Sequence, residues 1–118
     1  MNISMDKKLT VRLPKNLRKK LDDVATELDI TTISYVKISL YTAMNLSPFN
    51  FKSDMKVDNI ISEIPSEKDG RINLPISNKL YELLRKNAKK YDVYVSELIL
   101  AIIIISLKSY DNDKEIIN

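Results

Sequence analysis

Leu9, Val11 and Leu13 alternate with Lys8, Thr10 and Arg12. A period of two sends one set to a buried face and the other to water, so Lys7–Leu13 reads as a strand. Pro14 follows and suits a helix start, where its missing N–H takes no bond away. Leu17, Leu21, Val24, Ala25 and Leu28 then recur at i, i+4, i+7, i+8 and i+11. That is the apolar stripe of a helix of roughly 13 residues. Asp29 and Ile30 interrupt it. Thr31 or Thr32 is placed to cap a second helix, with Ile33, Val36, Leu40, Ala43 and Met44 on its apolar face. Ser47-Pro48 ends that helix.

The pattern occurs twice. An offset of 63 residues puts Leu9, Val11 and Leu13 on Ile72, Leu74 and Ile76. The same offset puts Leu17, Leu21, Ala25 and Asp29 on Leu80, Leu84, Ala88 and Asp92, and Val36 and Leu40 on Ile99 and Ile103. One ungapped shift brings strand onto strand, helix onto helix and turn onto turn, which predicts strand–helix–helix, linker, strand–helix–helix. The expected units are residues 7–46 and 70–110, joined by a linker at 47–69 that is rich in Pro, Ser and acidic residues. Within the linker, Asp54–Ile64 follows Ser53 and has Met55, Ile60, Ile61 and Ile64 at the apolar positions of a short helix, which Pro65 stops. Residues 1–6 read as a loose tail and 111–118 as a polar, frayed end.

A unit of about 40 residues rarely buries enough apolar surface to fold alone. A lone strand also leaves its backbone groups unpaired. Two units solve both problems if their strands pair antiparallel and their four helices share one core. The expected fold is therefore mainly α with a short antiparallel β-ribbon. Leu98–Ile105 is apolar on every face, so it must be buried all round or lie at an interface. The linker spans roughly 80 Å when extended, so its length allows pairing within one chain, as a pseudo-dimer, or between chains, as a homodimer.

Composition narrows the chemistry. The chain has 118 residues, with 19 Lys and Arg against 16 Asp and Glu, a net charge of +3 and a pI near 9.0. That balance permits a polyanionic partner without requiring one. Position says more: Lys7, Lys8, Arg12, Lys15, Arg18, Lys19 and Lys20 fall in one stretch that contains no acidic residue. With no Cys and no His, disulfides, thiol chemistry, zinc sites and the usual general base are absent. The single Gly excludes Gly-rich phosphate loops. Asp54 and Asp58 stand at i and i+4 without further ligands and read as a solvated face. No enzyme activity, cofactor or metal is expected. Met1–Met5 lacks an apolar leader core, and the eight residues of Leu98–Ile105 fall well short of the ~20 that cross a bilayer. A cytoplasmic protein without a membrane partner is the expectation.

Lys8-Leu9-Thr10-Val11-Arg12-Leu13-Pro14, then a helix carrying Leu17, Leu21 and Ala25, a short turn and a capped helix, resembles the ribbon-helix-helix family of DNA-binding proteins (Arc/MetJ type). The second unit is similar through Arg71-Ile72-Asn73-Leu74 and Ser96-Glu97-Leu98-Ile99. The likeness covers Lys7–Met44 and Gly70–Lys108, as two tandem units. It implies that the paired ribbon enters the DNA major groove and reads bases with Lys8, Thr10 and Arg12, and with Arg71 and Asn73. Arg bonds guanine O6 and N7 together, Asn bonds adenine N6 and N7, and Thr offers a hydroxyl or a methyl. The likeness also implies a phosphate clamp at the N-terminus of each second helix, here Thr31, Thr32 and Ile33, and Tyr94, Val95 and Ser96. Lys15, Arg18 and Lys19 are candidates for further phosphate contacts from the first helix.

Two departures stand out. Pro75 takes the place of Arg12 in the repeat and removes a reading side chain and a ladder donor. Asn87 replaces Val24 and needs a hydrogen-bond partner or a place at the core edge. The resemblance implies sequence-specific binding of double-stranded DNA by a transcriptional regulator, most simply a repressor of plasmid, phage or chromosomal genes, with higher-order association on DNA. Two alternatives are an accessory protein of a conjugation relaxosome at a transfer origin, and a protein-docking module that has lost DNA binding and uses its apolar last helix.

Overall fold

The computed structural model describes residues 7–44, 57–64 and 67–117. Its elements run β1 (Lys7–Leu13), α1 (Lys15–Glu27), α2 (Thr32–Ala43), α3 (Val57–Glu63), β2 (Gly70–Ile76), α4 (Asn78–Tyr91) and α5 (Val95–Ile117). β1 and β2 form one two-stranded antiparallel sheet, so the strands pair within the chain. The register runs from Lys7↔Ile76 to Leu13↔Gly70 and sets Thr10 opposite Asn73. These two are also the residues that the 63-residue offset makes equivalent. Leu9 faces Leu74 and Val11 faces Ile72, so exchanging the units turns each pair into the other. The ribbon thus has an approximate two-fold axis through the Thr10–Asn73 pair.

The helical turns explain why an Ala and an Asp recur. Among the described residues Asp29 and Asp92 are the two non-glycines with positive φ, at 59° and 57°. Asp tolerates this left-handed conformation better than most side chains. In the first unit Asp29 N–H donates to Thr26 O and Ile30 N–H to Ala25 O; in the second Asp92 N–H donates to Lys89 O and Val93 N–H to Ala88 O. Both helices therefore end in the same paired C-terminal motif, which returns bonds to carbonyls the helix leaves open. Because the chain leaves the helix there, Leu28, expected on the apolar stripe, turns outward and is 45% exposed.

The starts of α1, α2, α4 and α5 are satisfied in three ways. Pro14 is the N-cap of α1, one residue earlier than the first-turn place expected of it, and contributes no side-chain bond. Instead the Asp69 carboxylate, just before β2, accepts the Lys15 N–H at 2.9 Å. Thr31 caps α2 by accepting from Ser34 N–H, and Ser77 caps α4 by accepting from Leu80 N–H. At α5 the bond runs backward: Tyr94 N–H donates to the Glu97 carboxylate at 3.0 Å.

The inner ribbon face and one face of each helix make a single core. Val11, Leu13, Ile72, Leu74 and Ile76 are buried, beneath Leu21, Leu40, Leu80 and Leu84. α5 supplies its centre, where every residue from Leu98 to Ile103 is at most 1% exposed. The run that is apolar on all faces is thus enclosed by its own chain as far as Ile103, with Ile104 and Ile105 half-buried. Among the described residues no single helix is long and apolar enough to cross a membrane.

The structure corrects two further expectations. Ile33 was assigned to the apolar face of α2, but it is 38% exposed, while Tyr35, Ser39 and Thr42 are buried with Val36 and Leu40. The helix is rotated because Tyr35 and Ser39 find partners on α5: the Tyr35 hydroxyl and Ser39 Oγ lie 2.7 and 2.8 Å from Ser106 Oγ, and Ser39 also donates to Tyr35 O. Second, residues 111–117 are not frayed. α5 runs on to Ile117, and beside α1 its Asp111 pairs with Lys20 while Tyr110 donates to Glu27. The expected linker helix is present over Val57–Glu63, with Ile60, Ile61 and Ile64 packed on the core. Asp54 and Met55 lie outside the described residues. Asn87 has the partners its position demanded: it donates to Leu83 O at 2.8 Å and lies 3.3 Å from Met44 Sδ.

Candidate nucleic-acid interface

Side chains of directly opposed residues in an antiparallel pair share a face. The outward face of the ribbon therefore consists of three pairs: Lys8↔Pro75, Thr10↔Asn73 and Arg12↔Arg71. All five residues expected to read bases lie on it, each exposed. The sixth, Pro75, is half-buried. No acidic side chain belongs to this set.

The middle pair is joined. Thr10 Oγ1 donates to Asn73 Oδ1 at 3.0 Å. That bond uses one of the two lone pairs on the amide oxygen and leaves the other, with the amide nitrogen, open to a base edge. The bond sets the orientation of the Asn73 amide, and beside it the pair offers the Thr10 methyl.

At one end Arg12 and Arg71 stand opposite one another. The Arg71 carbonyl points out of the ladder and accepts from Arg18 Nη1 at 2.6 Å, which fits a non-hydrogen-bonded pair. Pairs on one face of an antiparallel ladder are of one kind, so Lys8↔Pro75 is of that kind too. The missing N–H of Pro75 then costs the ladder nothing, contrary to the expectation of a lost donor. What Pro75 does remove is a polar side chain.

Arg18 was expected to meet a phosphate. Here its Nε donates to Asp22 Oδ1 at 3.2 Å, besides the Arg71 bond. Asp22 also accepts from Thr32 Oγ1 at 2.5 Å. The Thr32 bond and the neighbouring Arg18 hold the Asp22 carboxyl below its ordinary range, against a smaller opposing effect of burial. The run Thr32–Asp22–Arg18–Arg71 ties the start of α2 to the edge of the ribbon. Sequence reasoning missed Asp22 because its partners lie on α2 and β2. Its repeat equivalent is Arg85, which pairs only within α4, with Glu82 at 3.7 Å.

The two expected phosphate clamps also differ. At α2 the Thr31 hydroxyl donates to Ser34 Oγ, and the N–H groups of Thr32 and Ile33 have no acceptor within the helix. At α5 the Glu97 carboxylate already sits on Tyr94 N–H, placing negative charge at that end. Val95 is half-buried, and Ser96 and Tyr94 are exposed. Lys15 and Lys19 are exposed on α1.

No family model matches the chain, nor does any curated protein or solved structure. The reading of this face therefore rests on its own chemistry. Among the described residues no group of three or more acidic side chains is arranged to hold a metal ion.

Proposed function

We propose that this protein binds double-stranded DNA in a sequence-specific manner, as two tandem ribbon-helix-helix units folded on each other in one chain, and that it serves as a transcriptional regulator. The observation that carries the reading is the outward ribbon face, where Lys8, Thr10, Arg12, Arg71 and Asn73 project together from a two-stranded ribbon. A ribbon of this width enters the major groove, and these side-chain types have hydrogen-bonding partners on base edges there. Packing alone asks for nothing of the kind. Two arginines held opposite each other repel, a cost of a few tenths of a kcal/mol or more, unless acceptors separate them. A buried inner face holds the reading face rigid, which favours selective contacts. The docking-module alternative drew on a free apolar last helix, and α5 has no free face from Leu98 to Ile103.

The test is a gel shift with the protein's own upstream DNA against random competitor, repeated across a salt series. Arg12→Ala is expected to weaken specific binding by ~1–3 kcal/mol and to relax the sequence preference. Lys19→Ala is expected to leave the preference intact and to reduce the salt slope by about one. A wild type that prefers no sequence would end this reading.

A further inference from the structure

The ribbon's outward face differs at its two ends. We propose that the protein binds a non-palindromic DNA site in one fixed orientation, with guanine under the Arg12–Arg71 end and a thymine methyl under the Lys8–Pro75 end. The proposal rests on the DNA-binding reading above and adds the polarity of the site.

A two-fold protein reads a palindrome because both ends of its reading face present the same groups. Here the exchange of units carries Lys8 onto Arg71 but Arg12 onto Pro75. One end presents two guanidinium groups, and the other presents an ammonium group and an apolar ring. Each guanidinium matches the O6 and N7 acceptors of guanine at two points. The proline ring has no polar atom to offer and matches the one apolar feature of the groove, the thymine C5 methyl.

The surroundings reinforce the difference. At the arginine end β2 approaches α1 closely: a Cβ on Gly70 would lie 3.1 Å from Leu13 O and 3.6 Å from Arg18 Cβ. That approach lets Arg18 reach the Arg71 carbonyl and fixes the backbone beneath the reading side chain. The equivalent of Arg18 at the other end is Tyr81, and there the Lys7 ammonium lies 5.2 Å from the centre of the Tyr81 ring. Lys7, paired with the buried Ile76 and off the reading face, is thus drawn onto α4, and Lys8 is the one cation of that end on the reading face. Even the axial pair is unequal, since Thr10 gives its proton to Asn73 and leaves one amide donor on one strand.

The experiment selects sites for the full chain from a randomised duplex library and then maps orientation. The chain has no Cys, so Asn78→Cys, at the exposed start of α4 next to the Pro75 end, accepts a single iron chelate that cuts nearby DNA. The expected consensus is non-palindromic, with guanine at one end and cutting at the opposite end only. Replacing that guanine by 7-deazaguanine is expected to weaken binding about tenfold or more. Replacing thymine by uracil at the far end should weaken it about fourfold, the worth of one methyl. Pro75→Arg, which restores the side chain found at the equivalent position, is expected to shift the consensus to guanine at both ends and to give cutting at both. A palindromic wild-type consensus cut equally at both ends overturns the polarity and leaves DNA binding standing. Failure to select any sequence overturns the DNA-binding reading, and the polarity with it.

Discussion

The two units share a frame and differ almost everywhere that faces away from it. Leu21 and Leu84, Ala25 and Ala88, and Asp29 and Asp92 occupy matching places and perform matching tasks. The outward and inter-helix positions do not match. Arg12 stands against Pro75, Arg18 against Tyr81, and Asp22 against Arg85. α2 carries Tyr35 and Ser39 into the core, where α5 has Leu98 and Ile102. The shared core limits what its own positions can be, because both units must close the same space around one axis. Nothing similar restrains the face that meets solvent or a ligand. A repeated strand–helix–helix pattern can thus share one core and still present an outward face whose two ends differ.

The sharpest way to break this comparison is to cut the frame on each side. Leu21→Ala and Leu84→Ala each remove a side chain with no exposure and should each cost about 2–5 kcal/mol. In urea both variants should unfold in one transition, since each strand is the other's only partner in the sheet. Two separate transitions would mean that the units fold independently.

A smaller effect probes the polar seam that only α2 brings into the core. Ser106→Ala takes a partner from both Tyr35 and Ser39 and should cost about 1–3 kcal/mol. Adding Tyr35→Phe removes the stranded hydroxyl, so the double variant should lose less than the two single losses together. Simple additivity in urea melts would show that the three groups do not act as a network.

The smallest effect belongs to the strut found in the first unit alone. Asp22 has a folded-state pKa below its ordinary value, so it contributes stability above about pH 4 and loses it as pH falls through the folded value. Its side chain is 46% exposed, so solvent screens the contribution to less than about 1 kcal/mol. Asp22→Asn should fall behind the wild type in urea at pH 7, and the gap should narrow steadily as the pH is lowered below about 4. A gap that does not change with pH would show that the carboxylate's charge is not what stabilises the strut.

Much of this architecture was legible because it rests on local periodicity. Alternation from Lys8 to Leu13 gave the strand and named the residues on each face. The 63-residue offset gave the second strand and pointed to Ala25, Ala88, Asp29 and Asp92 before their turn was known. The rotation of α2 was not legible, because a count of apolar residues places Ile33 inward and Tyr35 outward. Only a hydroxyl on α5 reverses that choice. Nor could the sequence show that Arg18 is held between Asp22 and the Arg71 carbonyl, since those partners come from two other elements.

The sequence by itself determined most of the elements, the recurrence of their apolar pattern and which strand residues face water, since each follows from the spacing of apolar side chains along a few residues. The tertiary structure decided that the strands pair within one chain, that Thr10 meets Asn73 on the axis, and that Arg12 lies opposite Arg71 rather than Pro75. The reason is physical. Spacing fixes what a segment can bury, whereas antiparallel register and long-range hydrogen bonds depend on which distant segment arrives to be buried against it.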